Sequence, residues 1–195
     1  MHRMHLMEHK MEAHAVCQLE HRCPTVRPSA SFVPCEGGMA GEYECSNVDQ
    51  LAFVSLADLG AGPEAGGNDI WGWTDPETGH EIAIMGTSDG TSFIDVTNPR
   101  EPAVLGRLET HTTSSLWRDI KVYSDHAFIG AEASGHGVQV FDLTSLREFY
   151  GKDARGKDAR VLTEVAHYDE FGNSHNLAIN VRQPPASTFH RAPPF

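Results

Sequence analysis

The segment GTSFIDVT at residues 90–97 is followed 47 residues later by GVQVFDLT at residues 137–144, with Gly, Asp and Thr in register. Alternating side chains that include Val, Ile and Phe are typical of a half-buried β-strand. We expect Asp95 and Asp142 to accept hydrogen bonds from the backbone of the turns that follow each strand. The duplication indicates that the chain repeats a unit of secondary structure.

Three further segments are duplicated, and every change of spacing falls between segments. They are NDIWGW (68–73) with RDIKVY (118–123), IAIMG (82–86) with HAFIG (126–130), and VLGRL (104–108) with VLTEV (161–165). A third unit opens with HNLAIN (175–180), in which Asn176 takes the column of Asp69 and Asp119. Four short strands every roughly 45 to 55 residues are typical of a β-propeller blade. The sequence therefore predicts an all-β fold of four-stranded antiparallel blades, incomplete at two blades plus the first strand of a third.

A closed propeller takes about 4 to 8 blades, which is more than these units supply. After Asn180 the pattern ends in a Pro-rich segment, VRQPPASTFHRAPPF, that excludes continued strand pairing. We expect either a truncated product, which is the favoured reading, or missing blades that come from another chain. The tandem GKDARGKDAR (151–160) is interpreted as a charged loop.

The chain carries 27 acidic and 15 basic residues, a net charge of -12, and no basic stripe with interleaved aromatic residues. This charge would repel a phosphate backbone, so nucleic acid is excluded as a partner. No apolar stretch reaches the roughly 20 residues of a transmembrane helix. The N-terminal MHRMHLMEHKMEAHAV has charged residues where a signal peptide needs an apolar core, so no export signal is predicted.

Cys35 and Cys45 are spaced so that they could form a disulfide bond. Cys35 and Cys45 flank the Gly-rich segment EGGMAGEYE, which can bend back and bring the two sulfurs together. A disulfide here would suit an oxidising compartment. The alternative is a pair of free, half-buried thiols.

Longer stretches carry a family resemblance. The segments at 90–108 and 117–143 resemble the LVIVD repeat, in which a strand ending in hydrophobic-Asp-Val precedes an Asn-Pro turn and Arg-Asp opens the next blade. The segments PCEGGMAGEYECSNVDQLAFVSLADLG (34–60) and NDIWGWTDPETG (68–79) narrow this to the choice-of-anchor B family, over about residues 34–180. The resemblance implies an extracellular or cell-surface β-propeller, of a family whose biochemical activity is not established.

Repeats and resemblance together divide the chain into four parts. The leader and the tail are predicted to be disordered, and the leader stands where the family has a signal peptide. The family's later blades and anchoring tail have no counterpart. The parts are a His- and Met-rich leader (1–33), a Cys-bounded segment (34–67), the propeller blades (68–180) and the Pro-rich tail (181–195).

The candidate site lies where the resemblance places the innermost strands, which line the channel of a propeller. Their leading polar pairs would ring one mouth of the channel: Asn68 with Asp69, Arg118 with Asp119, and His175 with Asn176. Carboxylates, amides and an imidazole that converge suit a polar ligand or a divalent cation, and the candidate metal ligands are Asp69, Asp119 and His175. Alternatively these side chains satisfy backbone donors at the blade starts or pair with one another, as Arg118 with an Asp. His136 and Trp117 lie near the same strands and either shape a pocket or serve the fold.

Two other motifs have an alternative reading. In the leader, the imidazole and thiolate groups are of the kind that bind zinc. These groups are His2, His5, His9, His14, Cys17, His21 and Cys23. The alternative is that this segment is translated sequence that has not been selected to fold. DPETGHE (75–81) resembles part of a calcium loop, but it lacks the full ligand set and is read as a turn. No Gly-x-Ser-x-Gly elbow occurs.

These observations support three hypotheses for function. The first is a non-enzymatic binding module, extracellular or at the cell surface, that presents its loops to a protein, glycan or surface partner. The second is a metal-dependent hydrolase or lyase with its site at the channel mouth. The third is a nonfunctional fragment, which would be poorly soluble or sensitive to proteases.

Overall fold

The computed structural model describes residues 32–156 and 159–180, and within them the fold is almost entirely β. The predictions for the His-rich leader and the Pro-rich tail therefore concern residues outside the described ranges. The strands are β1 (Met39–Ala40), β2 (Tyr43–Glu44), β3 (Gly67–Thr74), β4 (Glu81–Thr87), β5 (Gly90–Asp95), β6 (Ala103–Glu109), β7 (Arg118–Tyr123), β8 (His126–Ala131), β9 (Val138–Asp142), β10 (Val161–Leu162) and β11 (Ala166–Tyr168), with a 3-10 helix at Leu143–Phe149.

The first blade consists of β3, β4, β5 and β6, paired in that order and antiparallel throughout. All four strands coincide with the predicted segments of the first unit, so the fold class and this blade are confirmed. Alternate residues of β4, Ile82 and Ile84, are buried on one face, as the period of two in a strand requires. That buried face lies against the second blade, with Phe93 and Phe141 in ring contact at 4.5 Å between centroids.

The second blade consists of β7, β8, β9 and β11. Its first three strands lie where the repeat predicts them, but the prediction that VLTEV (161–165) is the fourth strand is wrong. Val161–Leu162 instead pairs in parallel with Arg107–Leu108 of the first blade, and Ala166–Tyr168 takes the fourth place beside β9. The reason is local packing, because Gly106 leaves room in which the Leu162 side chain is buried.

The segment HNLAIN (175–180) takes the predicted place but is not a strand. The Leu177 amide donates a hydrogen bond to the Asp119 carboxylate, and the Leu177 side chain lies over Gly130 of the second blade. A strand also needs a ladder, and the described ranges contain no second strand of a third unit with which this segment could pair.

The glycine that opens the repeated strand is required by a close approach of the fourth strand. A Cβ at Gly90 would lie 2.6 Å from the carbonyl oxygen of Leu108, and a Cβ at Gly137 would collide with the carbonyl of Tyr168. Gly137 also has φ +61°, which a side chain disfavours. The register of the two glycines therefore follows from the same contact in both blades.

The aspartate of the repeated strand closes the turn that follows. Asp95 Oδ1 accepts hydrogen bonds from the Thr97 amide at 3.0 Å and the Thr97 hydroxyl at 2.6 Å. Asp142 Oδ1 accepts the same pair from Thr144, at 2.9 and 2.7 Å. The structural role predicted for both aspartates is confirmed.

DPETGHE forms the turn between β3 and β4, as predicted. Asp75 has no exposed surface, and its carboxylate accepts hydrogen bonds from Thr78, Tyr150 and the Arg147 guanidinium, the last at 2.7 and 2.9 Å. The bonds from Arg147 hold the pKa of Asp75 well below its usual range, although burial opposes this. The turn is thus fixed to the connection between β9 and β11 of the second blade.

The N-terminal segment carries the predicted disulfide. Cys35 and Cys45 are bonded, with 5.9 Å between their Cα atoms, around the β1–β2 hairpin. Disulfides persist in oxidising compartments and are rare in the cytosol. The same segment is fixed to the first blade, because the Ser92 hydroxyl donates to the Leu59 carbonyl at 2.9 Å and Leu59 is buried against Ile94.

Candidate functional site

The first two predicted polar pairs lie in contact, where the first strand of each blade begins. Asn68 Oδ1 accepts a hydrogen bond from the Arg118 amide at 3.1 Å, and Asn68 Nδ2 donates to the Leu116 carbonyl. Asn68 therefore ties the start of the first blade to the start of the second. Its amide group is used by the backbone rather than held free for a ligand.

The aspartates of the same column have backbone partners too. Asp69 Oδ2 accepts from the Ile120 amide at 2.8 Å, and its Oδ1 accepts from the Ile70 amide at 2.9 Å. Asp119 accepts from the Leu177 amide and from the Lys121 ammonium. Burial raises the pKa of Asp119, but these two donors outweigh it and hold the pKa below its usual value. Both carboxylates thus bond backbone donors at blade starts, as in the structural reading of this column.

The third metal candidate lies with different neighbours. His175 Nδ1 is 2.7 Å from Glu132 Oε1, and its ring is 5.4 Å from that of Trp117. Across residues 32–156 and 159–180 no three His, Cys, Asp or Glu side chains form a group that could hold a metal ion. Asn176 is exposed, and its carbonyl accepts from the Ser174 hydroxyl at 2.8 Å. Ligand binding at the channel mouth stays a prediction.

Arg118 is buried, and its guanidinium does not form the expected ion pair with an aspartate. Nε donates to the Thr87 carbonyl and Nη2 to the Thr110 hydroxyl, both at 3.0 Å. Its Nη1 has no hydrogen-bond partner in the described part of the chain. Burial, together with the charge of Arg107, lowers the pKa of Arg118 to about 10.

Three histidines that sequence reasoning did not connect meet beside Arg118. The rings of His111 and His167 are stacked at 4.0 Å, and the ring of His136 meets that of His167 edge-on at 6.5 Å. His136 Nδ1 is 3.2 Å from the Thr112 hydroxyl, and His111 is paired with Glu164. His111, His136 and Glu164 lie in three different connections, those between β6 and β7, between β8 and β9, and between β10 and β11. His167 lies in β11. No repeat column links them, so the sequence offered no signal beyond His136 itself.

The buried His136 makes stability depend on pH. Its ring has no exposed surface, and burial followed by the charge of Arg118 lowers its pKa to about 4. Because the unfolded group titrates near 6.5, the unfolded state binds the proton first as the pH falls, and stability is lost between about pH 6.5 and pH 4.

We expect His136 to contribute a loss of about 2 kcal/mol in the free energy of unfolding between pH 7 and pH 5. Urea unfolding at both pH values measures it, and His136→Gln should remove this part of the pH dependence. His126→Gln is the matched control. The ring Nδ1 of His126 also has a hydrogen-bond partner, the Ser124 carbonyl, but the side chain is half-buried, whereas His136 is fully buried. Equal pH dependence of His136→Gln and the wild type would contradict the expectation.

One end of the two blades gathers the histidines with exposed aromatic side chains. Because strands alternate in direction, the end of β6, the start of β7, the β8–β9 turn and the end of β11 lie at the same edge. We call this the loop face and define it by residues 110–117, 132–137 and 168–175. Trp117 and Tyr168 are each 53% exposed there. Tyr168 is in ring contact with Phe171 at 5.8 Å.

A small cleft opens beside this face. It has a volume of about 230 Å³ and is lined by polar groups of Glu109, Thr110, His111, Gln139 and Glu164, among others. Gln139 Nε2 donates to the Glu109 carbonyl at 2.9 Å and to Glu164 Oε2 at 2.6 Å. The cleft therefore has a fixed polar lining, whereas the aromatic rings lie exposed beside it.

No family model, no curated protein and no solved structure matches the chain. The fold and the site define an all-β protein of propeller-like blades with an aromatic and histidine-rich loop face. No helix of residues 32–156 and 159–180 is long and apolar enough to cross a membrane.

Proposed function

We propose that the protein is an extracellular or cell-surface binding module of the LVIVD-repeat, choice-of-anchor B type, which binds a protein, glycan or surface partner through its loop face. The observation that carries the proposal is the pairing of exposed aromatic rings there. Trp117 lies against His175, and Tyr168 lies against Phe171. Contiguous exposed apolar side chains on a soluble domain are typical of an interaction site.

The aromatic pairs have the properties of binding anchors. Trp and Tyr are enriched among the residues that dominate binding energy, because they bury a large area and lose few rotatable bonds. Each ring on the loop face already contacts a second ring, so little further ordering is required on binding. The neighbouring Glu132 and Asn176 supply hydrogen-bonding groups at the rim of this surface.

Two further observations support the proposal. The Cys35–Cys45 disulfide suits an oxidising compartment. The channel-mouth carboxylates of Asp69 and Asp119 accept hydrogen bonds from backbone amides, whereas the metal-dependent hydrolase or lyase would use those oxygens for its cation. A binding module needs no free carboxylate at that position.

The proposal is tested by titrating the fluorescently labelled chain onto intact cells of the organism that makes it. We expect saturable binding that weakens at least about tenfold in the double variant Trp117→Ala, Tyr168→Ala. Val48→Ala is the matched control, since Val48 is more exposed than Trp117 and Tyr168, at 68%, but lies in the N-terminal segment. Treating the cells with protease or with periodate then separates a protein partner from a glycan.

Binding that does not saturate, or that is equal in the double variant and the wild type, would rule out the loop face as the binding surface. Circular dichroism of each variant excludes unfolding as the cause of a loss. The assay is run with and without a chelator, because binding abolished by chelation would favour the cation site at the channel mouth.

A further inference from the structure

One column of the repeat holds an aliphatic residue at the start of each innermost strand: Ile70, Ile120 and Leu177. The three equivalent side chains differ in burial. Ile120 is 0% exposed and Leu177 is half-buried, whereas Ile70 is 61% exposed. A residue that is fully buried in one unit and open in another marks a contact that the second unit lacks.

The contact that buries Ile120 is built from the blade before it. Its amide donates to Asp69, and a Cβ added to Gly86 would lie 3.3 Å from its Cδ1 atom. We call such an aspartate and glycine pair a socket. Leu177 occupies the equivalent socket of the second blade, where its amide donates to Asp119 and its side chain lies over Gly130. The same seam is thus built twice.

Ile70 has no socket from a preceding blade in the described residues. Its amide donates to the carboxylate of its own neighbour, Asp69. Its side chain lines an apolar groove of about 290 Å³. The groove is lined by Ala52, Val54, Leu56, Leu59, Ile70, Ala83, Met85, Ile94, Val96, Pro99 and Pro102.

The groove is the face on which a preceding blade would lie. Ala83 and Met85 of the groove correspond in the repeat to Ala127 and Ile129 of the second blade. Those two side chains are 0% exposed, because the first blade covers them. The first blade therefore presents a surface equivalent to the one that the second blade buries, covered only in part by Val54, Leu56 and Leu59 of the N-terminal segment.

We propose that this groove binds the second blade of another copy of the chain, head to tail, with Ile70 of one copy entering the Asp119–Gly130 socket of the next. The open face of the second blade carries Phe128, Gly130 and Val140, which repeat Ile84, Gly86 and Phe93 of the first blade. Ile84, Gly86 and Phe93 of the first blade already pack against the second blade within the chain. The contact between copies thus continues a seam that the chain itself contains.

Leu177 occupies the socket in the single chain and is the residue that Ile70 of the next copy replaces. Its segment forms no strand ladder, so the displacement breaks few backbone hydrogen bonds. Two blades from each copy would complete a ring of about 4 to 8 blades with roughly two to four copies. A head-to-tail contact of this kind closes into a ring when the rotation between copies permits it.

Sedimentation velocity of the whole chain over a wide range of micromolar concentrations tests the proposal. We expect an assembly larger than the monomer. Met85→Glu in the groove and Val140→Glu on the open face of the second blade should each be monomeric alone. Mixed in equal amounts, they should form a dimer, because one variant keeps an intact groove and the other an intact second blade. Val48→Glu, outside both surfaces, should behave as the wild type.

A wild-type chain that stays monomeric throughout would overturn the proposal, and would also result if residues of the same chain cover the groove. If the Val140→Glu variant alone formed the same assembly as the wild type, the grooves of two copies would be in contact with each other, and the proposal would also be overturned. A mixture of the two variants that remains monomeric has the same consequence. Dimer formation in the mixture shows in addition that both variants are folded.

Discussion

Replacing Asp75 by Ala is expected to lower the free energy of unfolding by about 3 kcal/mol, a large part of the stability of a domain of this size. Asp75 has no exposed surface and accepts hydrogen bonds from Arg147, Thr78 and Tyr150. Its removal leaves these donors without their acceptor and releases the first blade from the β9–β11 connection of the second blade. Urea unfolding of variant and wild type at pH 7 measures the change.

Glu77→Ala is the matched control for this prediction. Glu77 pairs with the same Arg147, but it is 71% exposed, and an exposed ion pair contributes at most about 1 kcal/mol. Because the pKa of Asp75 is lowered in the folded state, its contribution is present above the unfolded value of 3.8 and is lost as the pH falls below it. Equal losses in the two variants would show that the buried carboxylate has no special role.

The second large effect is expected at the seam between the blades. Ile120→Ala should lower the free energy of unfolding by about 3 kcal/mol, because it leaves a cavity between the blades. Ile70→Ala, in the same column but 61% exposed, should cost less than about 1 kcal/mol. Both are measured by urea unfolding at the lowest workable protein concentration, so that association between copies is negligible.

The ratio of these two effects matters more than either value. A cost at Ile70 equal to that at Ile120 would mean that the groove is covered in solution even in the monomer. Negligible cost at both positions would mean that the two blades do not share a core. The first outcome would contradict the open groove, and the second would require the seam described for Asp69 and Gly86 to be abandoned.

The repeat predicted the parts of the fold whose residues are fixed by contacts within a blade or between blades. Gly90 and Gly137 are held by the close approach of the fourth strand, and Asp95 and Asp142 by the turns they close. Such requirements recur with each unit and are therefore visible as columns. For this reason seven of the nine predicted strands lie where the sequence placed them, and the two exceptions are VLTEV and HNLAIN.

The position of VLTEV shows where a column fails as a predictor. VLTEV and AHY are both short, and a long charged connection separates them from β9, so nothing in the sequence fixed which one pairs with it. The choice depends on the fit of Leu162 against Gly106 of the other blade. That contact joins residues more than fifty positions apart and does not recur in a second unit.

The column of Asp69 and Asp119 lies at the start of the first strand of each blade, and both carboxylates accept hydrogen bonds from backbone amides, as the structural alternative for this column predicted. Ligand binding at this column stays a prediction, because the sequence pattern is the same whether the oxygens serve the backbone or a ligand. The histidine cluster escaped detection for a different reason. His111 and His167 lie outside every repeated segment, and only the fold brings them to His136.

The first blade forms a seam with the second through the Asp69 carboxylate and the Ile120 amide. Hydrogen exchange of the Ile120 amide, followed by NMR, tests this seam, with Asp69→Ala as the comparison. We predict that this amide exchanges at least about tenfold more slowly than the Ile70 amide in the wild type, and that the difference disappears in Asp69→Ala. Equal exchange of the two amides in the wild type would contradict the seam.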